Sequence, residues 1–253
     1  MVSVHRQRKV MELITQHGEC SIEYLAKALG VSEMTIRRDL QKLAASGKIL
    51  RTHGGAAVAE RVAFEFEFLK RAEENRNAKA AIAKCASAMV EDGQSVLLDS
   101  GTTTLAIASQ LQMKKNITVV TTSLPAASKL QFCSQINVLL LGGYVRPSAP
   151  DLVGALTETN LESLHADVAF VGASGIDRRG RVYQQSPEVA RLLSKMLNSA
   201  SRAYVVADGS KLDKSALCRF GRLQDVAGLI TDAGADEKFV GALRKAGANV
   251  IIA

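Results

Sequence analysis

The sequence predicts an α/β protein in which an N-terminal winged helix-turn-helix precedes a larger, doubly wound and mostly parallel sheet. Two observations carry this prediction. The first sixty residues hold three helical periodicities separated by very short turns, and the remainder repeats short, continuous apolar runs between helical patterns. A third observation concerns chemistry: two adjacent arginines stand on the outward face of the third helix, and a hydroxyl-rich turn follows the first strand of the sheet.

In "HRQRKVMELITQHG" the residues Val10, Leu13 and Ile14 recur at helical spacing and Gly18 supplies a stop. In "SIEYLAKALG", Ser21 is a good N-cap, Ile22, Leu25, Ala26 and Leu29 form one face, and Gly30 ends the helix. Only "GVS" separates this helix from the next, since Ser32 already serves as its N-cap, so the pair reads as a helix-turn-helix. In "SEMTIRRDLQKL" the apolar stripe is Ile36, Leu40, Leu43 and Ala44, while Met34, Thr35, Arg38 and Lys42 point away and Arg37 lies at the flank. Asp39 is the only acid after the first turn, so the outward face is cationic.

After a Gly47 turn, "SGKILRTHGGAAVA" gives two short β-compatible runs around Gly54-Gly55, which is a two-stranded wing. In a winged helix-turn-helix the third helix enters the major groove. Double-stranded DNA is therefore the expected partner, with Thr35, Arg37 and Arg38 facing the groove, Lys42, Arg51 and His53 towards the phosphate backbone, and Ser32 as a further DNA-binding candidate; the sequence does not divide base from phosphate contacts. The alternative for this face is ordinary solvation. The stretch "FEFEFLKRAEENRN" matches neither flank in composition, so residues 61–78 are expected to be the linker between a DNA-binding domain (1–60) and an α/β domain (79–253), docked by Phe64, Phe66 and Phe68.

Beyond it come "SVLLD", "ITVVTT", "INVLLLGG", "DVAFVGA", "AYVVAD", "AGLITD" and "NVIIA". Continuous hydrophobicity marks strands buried on both faces, and the helical stretches between them mark right-handed crossovers. In such sheets ligands bind beyond the carboxyl ends of the strands, where Asp99, Thr122, Gly142, Gly172, Asp208 and Asp232 fall. The densest cluster is "DSGTTTLAIASQL": a strand ends at Asp99, Gly101 permits a tight turn, and Ser100, Thr102, Thr103 and Thr104 supply hydroxyls where a helix begins. Backbone N–H groups and the helix dipole converge there, which suits a phosphate. No Walker A lysine and no G-x-G-x-x-G follow, so nucleoside triphosphate and NAD are not expected.

Lys211 in "DGSK" offers one cation at the same edge, for a bound phosphate or for Asp99, unless it is only a surface lysine beside a turn. Asp177, in "VGASGID", and Glu188, near the start of the next helix, are further effector-site candidates. The four histidines are scattered and no G-x-S-x-G occurs, so no metal, no cofactor and no catalytic set is expected. The alternative is a sugar-phosphate isomerase-like enzyme fused to a DNA-binding module, with Asp177 or Glu188 as general base.

The totals agree with this outline. A chain of 253 residues, 47% hydrophobic, is long enough for a full-sized core plus a small domain, and a net charge of +7 favours an anionic partner. Four cysteines far apart suggest neither zinc nor a disulfide framework, and no long apolar run suggests a leader or membrane span, so a cytoplasmic protein is expected.

Taken together, "VSEMTIRRDL" with "RTHGG", then "DSGTTT", "LGG", "VGASGID" and "DGSK" in that order, resemble the DeoR family of bacterial sugar-catabolism regulators along essentially the whole chain. The resemblance implies a sensor domain similar to ribose-5-phosphate isomerase. It also implies an oligomeric repressor of a carbohydrate operon, released from its operator by a phosphorylated sugar or related metabolite. It places DNA recognition on Thr35, Arg37 and Arg38, and effector phosphate on Asp99 to Thr104, with Lys211 as an adjunct. Two departures are visible: "TTS" at 121–123 where the family often has Thr-Asn, and "DGSK" where Asp-Ser-Ser-Lys is commoner.

Overall fold

The computed structural model describes residues 3–253; for Ser3 and residues 60–66 only the backbone is described. The chain divides into two compact units, Met1–Lys70 and Arg71–Ala253.

The first unit holds α1 (Ser3–His17), β1 (Glu19–Ser21), α2 (Ile22–Leu29), α3 (Glu33–Ala45), β2 (Ile49–Thr52) and β3 (Gly55–Val58), and α4 (Glu60–Glu73) begins in it. Ser21 and Ser32 cap α2 and α3 by accepting the amides of Tyr24 and Thr35 at 3.1 and 3.3 Å. Gly30, in the left-handed region at φ +64°, makes the tight turn between α2 and α3. Val10, Ile14, Leu25, Ile36 and Leu40 are fully buried and bind the three helices into one core with Ile49 and Ala56 of the wing.

The wing has three strands, in the order β1-β3-β2, where the sequence suggested two. The additional strand is only three residues long and falls between two helices, so its periodicity is invisible. It packs so close to β3 that a Cβ on Gly55 would meet the Cys20 carbonyl oxygen at 2.3 Å, which accounts for a glycine there.

The second unit is built on a seven-stranded sheet formed by β4 (Ser95–Leu98), β5 (Ile117–Thr121), β6 (Ile136–Leu140), β9 (Ala166–Gly172), β12 (Ala200–Val206), β14 (Gly228–Thr231) and β15 (Val250–Ile252). The order is β15-β14-β12-β9-β4-β5-β6 and every pair is parallel. Helices α5 (Arg76–Ala88), α6 (Thr102–Leu111) and α7 (Leu124–Leu130) cover one face, and α8 (Ala155–Glu162), α9 (Pro187–Asn198) and α10 (Glu237–Lys245) cover the other. Alternate residues of a strand serve the two cores: Val96 and Leu98 pack with α5 and α6, whereas Leu97 packs with α8 and α9.

Two small additions complete the unit. One is the hairpin β7 (Tyr144–Val145) with β8 (Leu152–Val153); the other is a three-stranded antiparallel sheet of β10 (Gly175–Ile176), β11 (Arg181–Gln184) and β13 (Cys218–Arg222).

The strand order reverses at one point. From β4 the chain winds outward through β5 and β6, then returns to the other side of β4 as β9 and winds outward through β12, β14 and β15. The winding direction therefore reverses between β4 and β9, and beyond the carboxyl ends of two such strands the crossovers diverge and leave a crevice.

The stretch expected to link two domains, 61–78, is helical: α4 runs through it to Glu73 and α5 starts at Arg76. The "FEFEF" alternation looks strand-like, but the Glu, Lys, Arg, Leu and Ala around it favour a helix. Phe68 is buried; the docking expected of the Phe64 and Phe66 side chains lies outside the described residues. None of the four cysteines is in a disulfide.

Candidate functional site

On α3, Ile36, Leu40 and Leu43 face the core and Met34, Arg37, Arg38, Gln41 and Lys42 are exposed. Ser32 Oγ and Thr35 Oγ1 are 2.9 Å apart, so these two hydroxyls first complete the helix cap. Arg37 spans one turn to Glu33 at 3.3 Å, while no ion pair is recorded for Arg38 or Lys42 among the described residues. On the wing, Lys48, Arg51 and His53 are exposed. This gives a cationic ridge and a cationic wing in one unit, the donor set that duplex phosphates and guanine edges require.

Asp39, the only acid of α3 after its first turn, is buried. It accepts Arg6 Nε at 2.5 Å and Gln7 Nε2 at 3.0 Å, and so ties α1 to α3. Its place was legible: positions 36, 39, 40 and 43 follow the i, i+3, i+4, i+7 rule, and an acid on that stripe calls for a partner.

In the second unit, Asp99 directly follows β4 and is buried. Its carboxylate accepts Gly101 N at 2.8 Å and Gly172 N at 2.7 Å, together with the Thr104 hydroxyl. Burial raises the carboxyl above its usual value, and the donors from Thr104, Gly101 and Gly172 work against that rise. Asp99 thus shapes the loop from beneath. Thr104 is fully buried and turned the same way, so its hydroxyl braces the turn and does not face the crevice.

The N-cap of α6 is Gly101, and no side chain caps the helix. The amides of Thr102, Thr103 and Thr104 therefore begin the helix without a side-chain acceptor. Among the described residues, the Thr102 and Thr103 hydroxyls have no hydrogen-bond partner. Ser100 Oγ donates to Asp151 Oδ2, and Asp151 in turn is gripped by Arg146 through Nε at 2.7 Å and Nη2 at 2.6 Å. Arg146 and Asp151 bracket the tip of the β7–β8 hairpin and were not expected from the sequence.

The other candidates distribute around this loop. Thr122 is buried, and its carbonyl accepts Leu152 N at 3.0 Å, which fastens the hairpin to the end of β5. Gly142 follows β6, and its carbonyl accepts the Thr157 hydroxyl at 2.7 Å, so it holds α8. Gly172 lies directly across from Asp99. Glu188 is half-buried in the first turn of α9; a Cβ on Gly154 of the β8–α8 turn would lie 4.0 Å from its Oε1.

Lys211 ends a short 3-10 turn after β12, two strands from β4, or about 10 Å at ordinary strand spacing. Asn75 Nδ2 from the α4–α5 corner reaches Asp208 Oδ1 at 2.9 Å in the same turn.

Asp177 is committed elsewhere. Its carboxylate accepts Arg179 N, Arg181 N, Arg181 Nε and the Tyr183 hydroxyl at 2.6 to 3.0 Å, all within its own β10–β11 hairpin, and no described contact joins it to the loop. The same occupation removes it as a free general base. Among the described residues, no cluster of His, Cys, Asp and Glu could hold a metal ion. No described helix is long and apolar enough to cross a membrane.

A winged helix-turn-helix, in one chain with an α/β unit whose uncapped, hydroxyl-lined helix start opens at the switch of its sheet, defines a DNA-binding regulator with a sensor domain. The comparisons place it further. The family profile described as DeoR-like helix-turn-helix domain matches residues 6–62, and that described as DeoR C terminal sensor domain matches residues 74–233. The chain belongs to the DeoR family of transcriptional regulators.

Relatives similar over nearly the full length include the transcriptional repressor AccR of Agrobacterium fabrum, 34% identical over 90% of this chain and 89% of that protein. The HTH-type transcriptional regulator GlpR of Haloferax volcanii is 32% identical over 99% and 98%. Among solved structures, ribose 5-phosphate isomerase A of Methanocaldococcus jannaschii aligns over 55% of each chain at 19% identity with a TM-score of 0.40.

Proposed function

We propose that this regulator represses a carbohydrate catabolic operon by binding operator DNA through α3 and the wing, and that a phosphorylated sugar or related metabolite at the 99–104 loop releases it. The observation that carries the sensor half is the start of α6: amides without a side-chain cap and the Thr102 and Thr103 hydroxyls, which have no hydrogen-bond partner among the described residues, where the strand order reverses. A phosphate there gains charge-assisted hydrogen bonds and the positive end of the helix dipole together.

Arg38 and Lys42, exposed on α3, support the DNA half. A homo-oligomer fits the mechanism, because one recognition helix covers a single half-site and two half-sites about one turn of DNA apart need two. The effector favours an arrangement of subunits whose helices no longer match that spacing, which is a shift of population.

The test is fluorescence anisotropy with labelled DNA from upstream of the chain's own operon, with and without a mixed panel of sugar phosphates. Tight binding relieved by the panel is expected. Tight binding that ignores every member leaves the DNA reading and removes the sugar phosphate; no specific binding removes the regulator's proposed operator.

A further inference from the structure

Ser100, the first hydroxyl of the loop, is already engaged, and its partner comes from 51 residues away. The carboxylate of Asp151, a residue 1% exposed, takes the Ser100 hydroxyl on the oxygen that also takes Arg146 Nη2, while its other oxygen takes Arg146 Nε. An anion thus sits against the loop and is clamped in the two-pronged way that guanidinium groups clamp carboxylates and phosphates alike. Asp151 has no partner of its own on the loop besides Ser100; what it satisfies is the arginine and the hydroxyl that a phosphate would use.

We propose that Asp151 is a built-in competitor for the effector phosphate. In the unliganded chain it occupies Ser100 and Arg146; the bound phosphate displaces it and takes both, so that Arg146 is a phosphate ligand. The inference rests on the reading of the 99–104 loop as the effector site and adds to it the residue that holds the anion and the residue that opposes it.

The exchange is favourable in that direction. A phosphate monoester carries a charge of about −1.5 to −2 with three acceptor oxygens, against one charge and two oxygens on Asp151, and it also reaches the amides of α6. Asp151 is also positioned to report the exchange. Its hairpin is pinned by Leu152 N to Thr122 O at 3.0 Å and by Leu124 N to Pro150 O at 3.0 Å, so moving the carboxylate out of the crevice strains both links.

The experiment is calorimetric titration of the full chain with inorganic phosphate and with the sugar-phosphate panel, using wild type, Asp151→Asn and Arg146→Ala. Removing the competitor's charge raises apparent affinity, expected at roughly tenfold for Asp151→Asn. Removing the clamp lowers affinity by roughly tenfold or more for Arg146→Ala, and Arg146→Lys restores only part of it. Circular dichroism and melting curves confirm that each variant is folded.

A readout on the wild type alone follows the hairpin: the Leu152 amide is expected to exchange its hydrogen faster with ligand than without. Weaker or unchanged binding by Asp151→Asn, while wild type binds, overturns the competitor and leaves the loop site standing. Unchanged binding by Arg146→Ala overturns the clamp in the same way, and a Leu152 amide indifferent to ligand overturns the displacement. Absence of phosphate and sugar-phosphate binding by every protein overturns the loop reading and this inference together.

Discussion

The Asp99 carboxylate, just past β4, accepts the Gly172 N–H at the end of β9 at 2.7 Å, so a side-chain hydrogen bond extends the backbone ladder between the two strands at which the sheet changes direction. The junction is tight. A Cβ on Gly172 would lie 3.2 Å from Asp99 Oδ2, and one on Gly101 would lie 3.2 Å from Oδ1. Gly172→Ala is therefore expected to push Asp99 and the loop above it out of place, costing about 1–3 kcal/mol of stability as overpacked sites do. Urea unfolding measures the loss, and phosphate titration should show weaker binding by the surviving fold. A variant with wild-type stability and affinity would show that the junction is slack.

The same carboxyl predicts a pH dependence. Burial is its largest influence and raises its pKa, so the folded chain holds the Asp99 proton more tightly than the unfolded one. Its contribution to stability is therefore full below about pH 4, the unfolded value, and is lost as pH rises through the raised folded value. Asp99→Asn cannot ionise. The stability difference between wild type and variant, followed by urea unfolding from pH 4 to 8, is expected to move in the variant's favour as pH rises. Parallel curves would mean that the loop's donors cancel the effect of burial.

On α3 the two arginines are unequal. Arg37 shares its charge with Glu33, whereas Arg38 has no recorded ion pair among the described residues. Arg38→Ala is expected to cost about 1–3 kcal/mol of operator affinity and to relax base preference at one position of each half-site. Lys42→Ala, removing a phosphate contact, should weaken all sequences alike and lower the salt dependence of binding. Anisotropy against operator and scrambled DNA at several salt concentrations separates the two. Equal losses on both DNAs for Arg38→Ala would assign it to the backbone.

What could be read in the sequence was what is local. The caps at Ser21 and Ser32, the Gly30 turn and the α3 core stripe each declare themselves within a few residues, and so does the hydroxyl turn after β4. What could not be read depends on distant partners. Nothing near Ser100 announces Asp151, because the hairpin that carries it returns to β5 and thereby to the loop only in three dimensions. Asp177 misled because a carboxylate near a strand end resembles a ligand residue until its own hairpin fills its oxygens. The helix across the expected linker was hidden by a two-residue alternation whose phenylalanines outweighed the helix-forming residues around them.

Part of that linker has a structural role of its own. Lys79 on α5 is buried, and its ammonium donates to the Glu74 carbonyl at 2.6 Å and to the Arg71 carbonyl, at the end of α4. The last carbonyls of a helix lack intrahelical donors, and a buried ammonium shared between two of them closes the α4–α5 corner. Asn75, in that corner, is the residue that reaches Asp208 in the turn carrying Lys211. Lys79→Met keeps the apolar stem and removes the donor, and is expected to cost about 1–3 kcal/mol. Burial also lowers the Lys79 pKa below its ordinary 10.5, with the Asp208 charge opposing that shift. The unfolded chain therefore binds this proton more tightly than the folded one, so its contribution to stability rises as pH climbs through the lowered value towards 10.5. Unfolding curves of wild type and Lys79→Met between pH 7 and 10 test both statements: the gap between them should widen with pH, and a constant gap would show that the ammonium keeps its charge throughout.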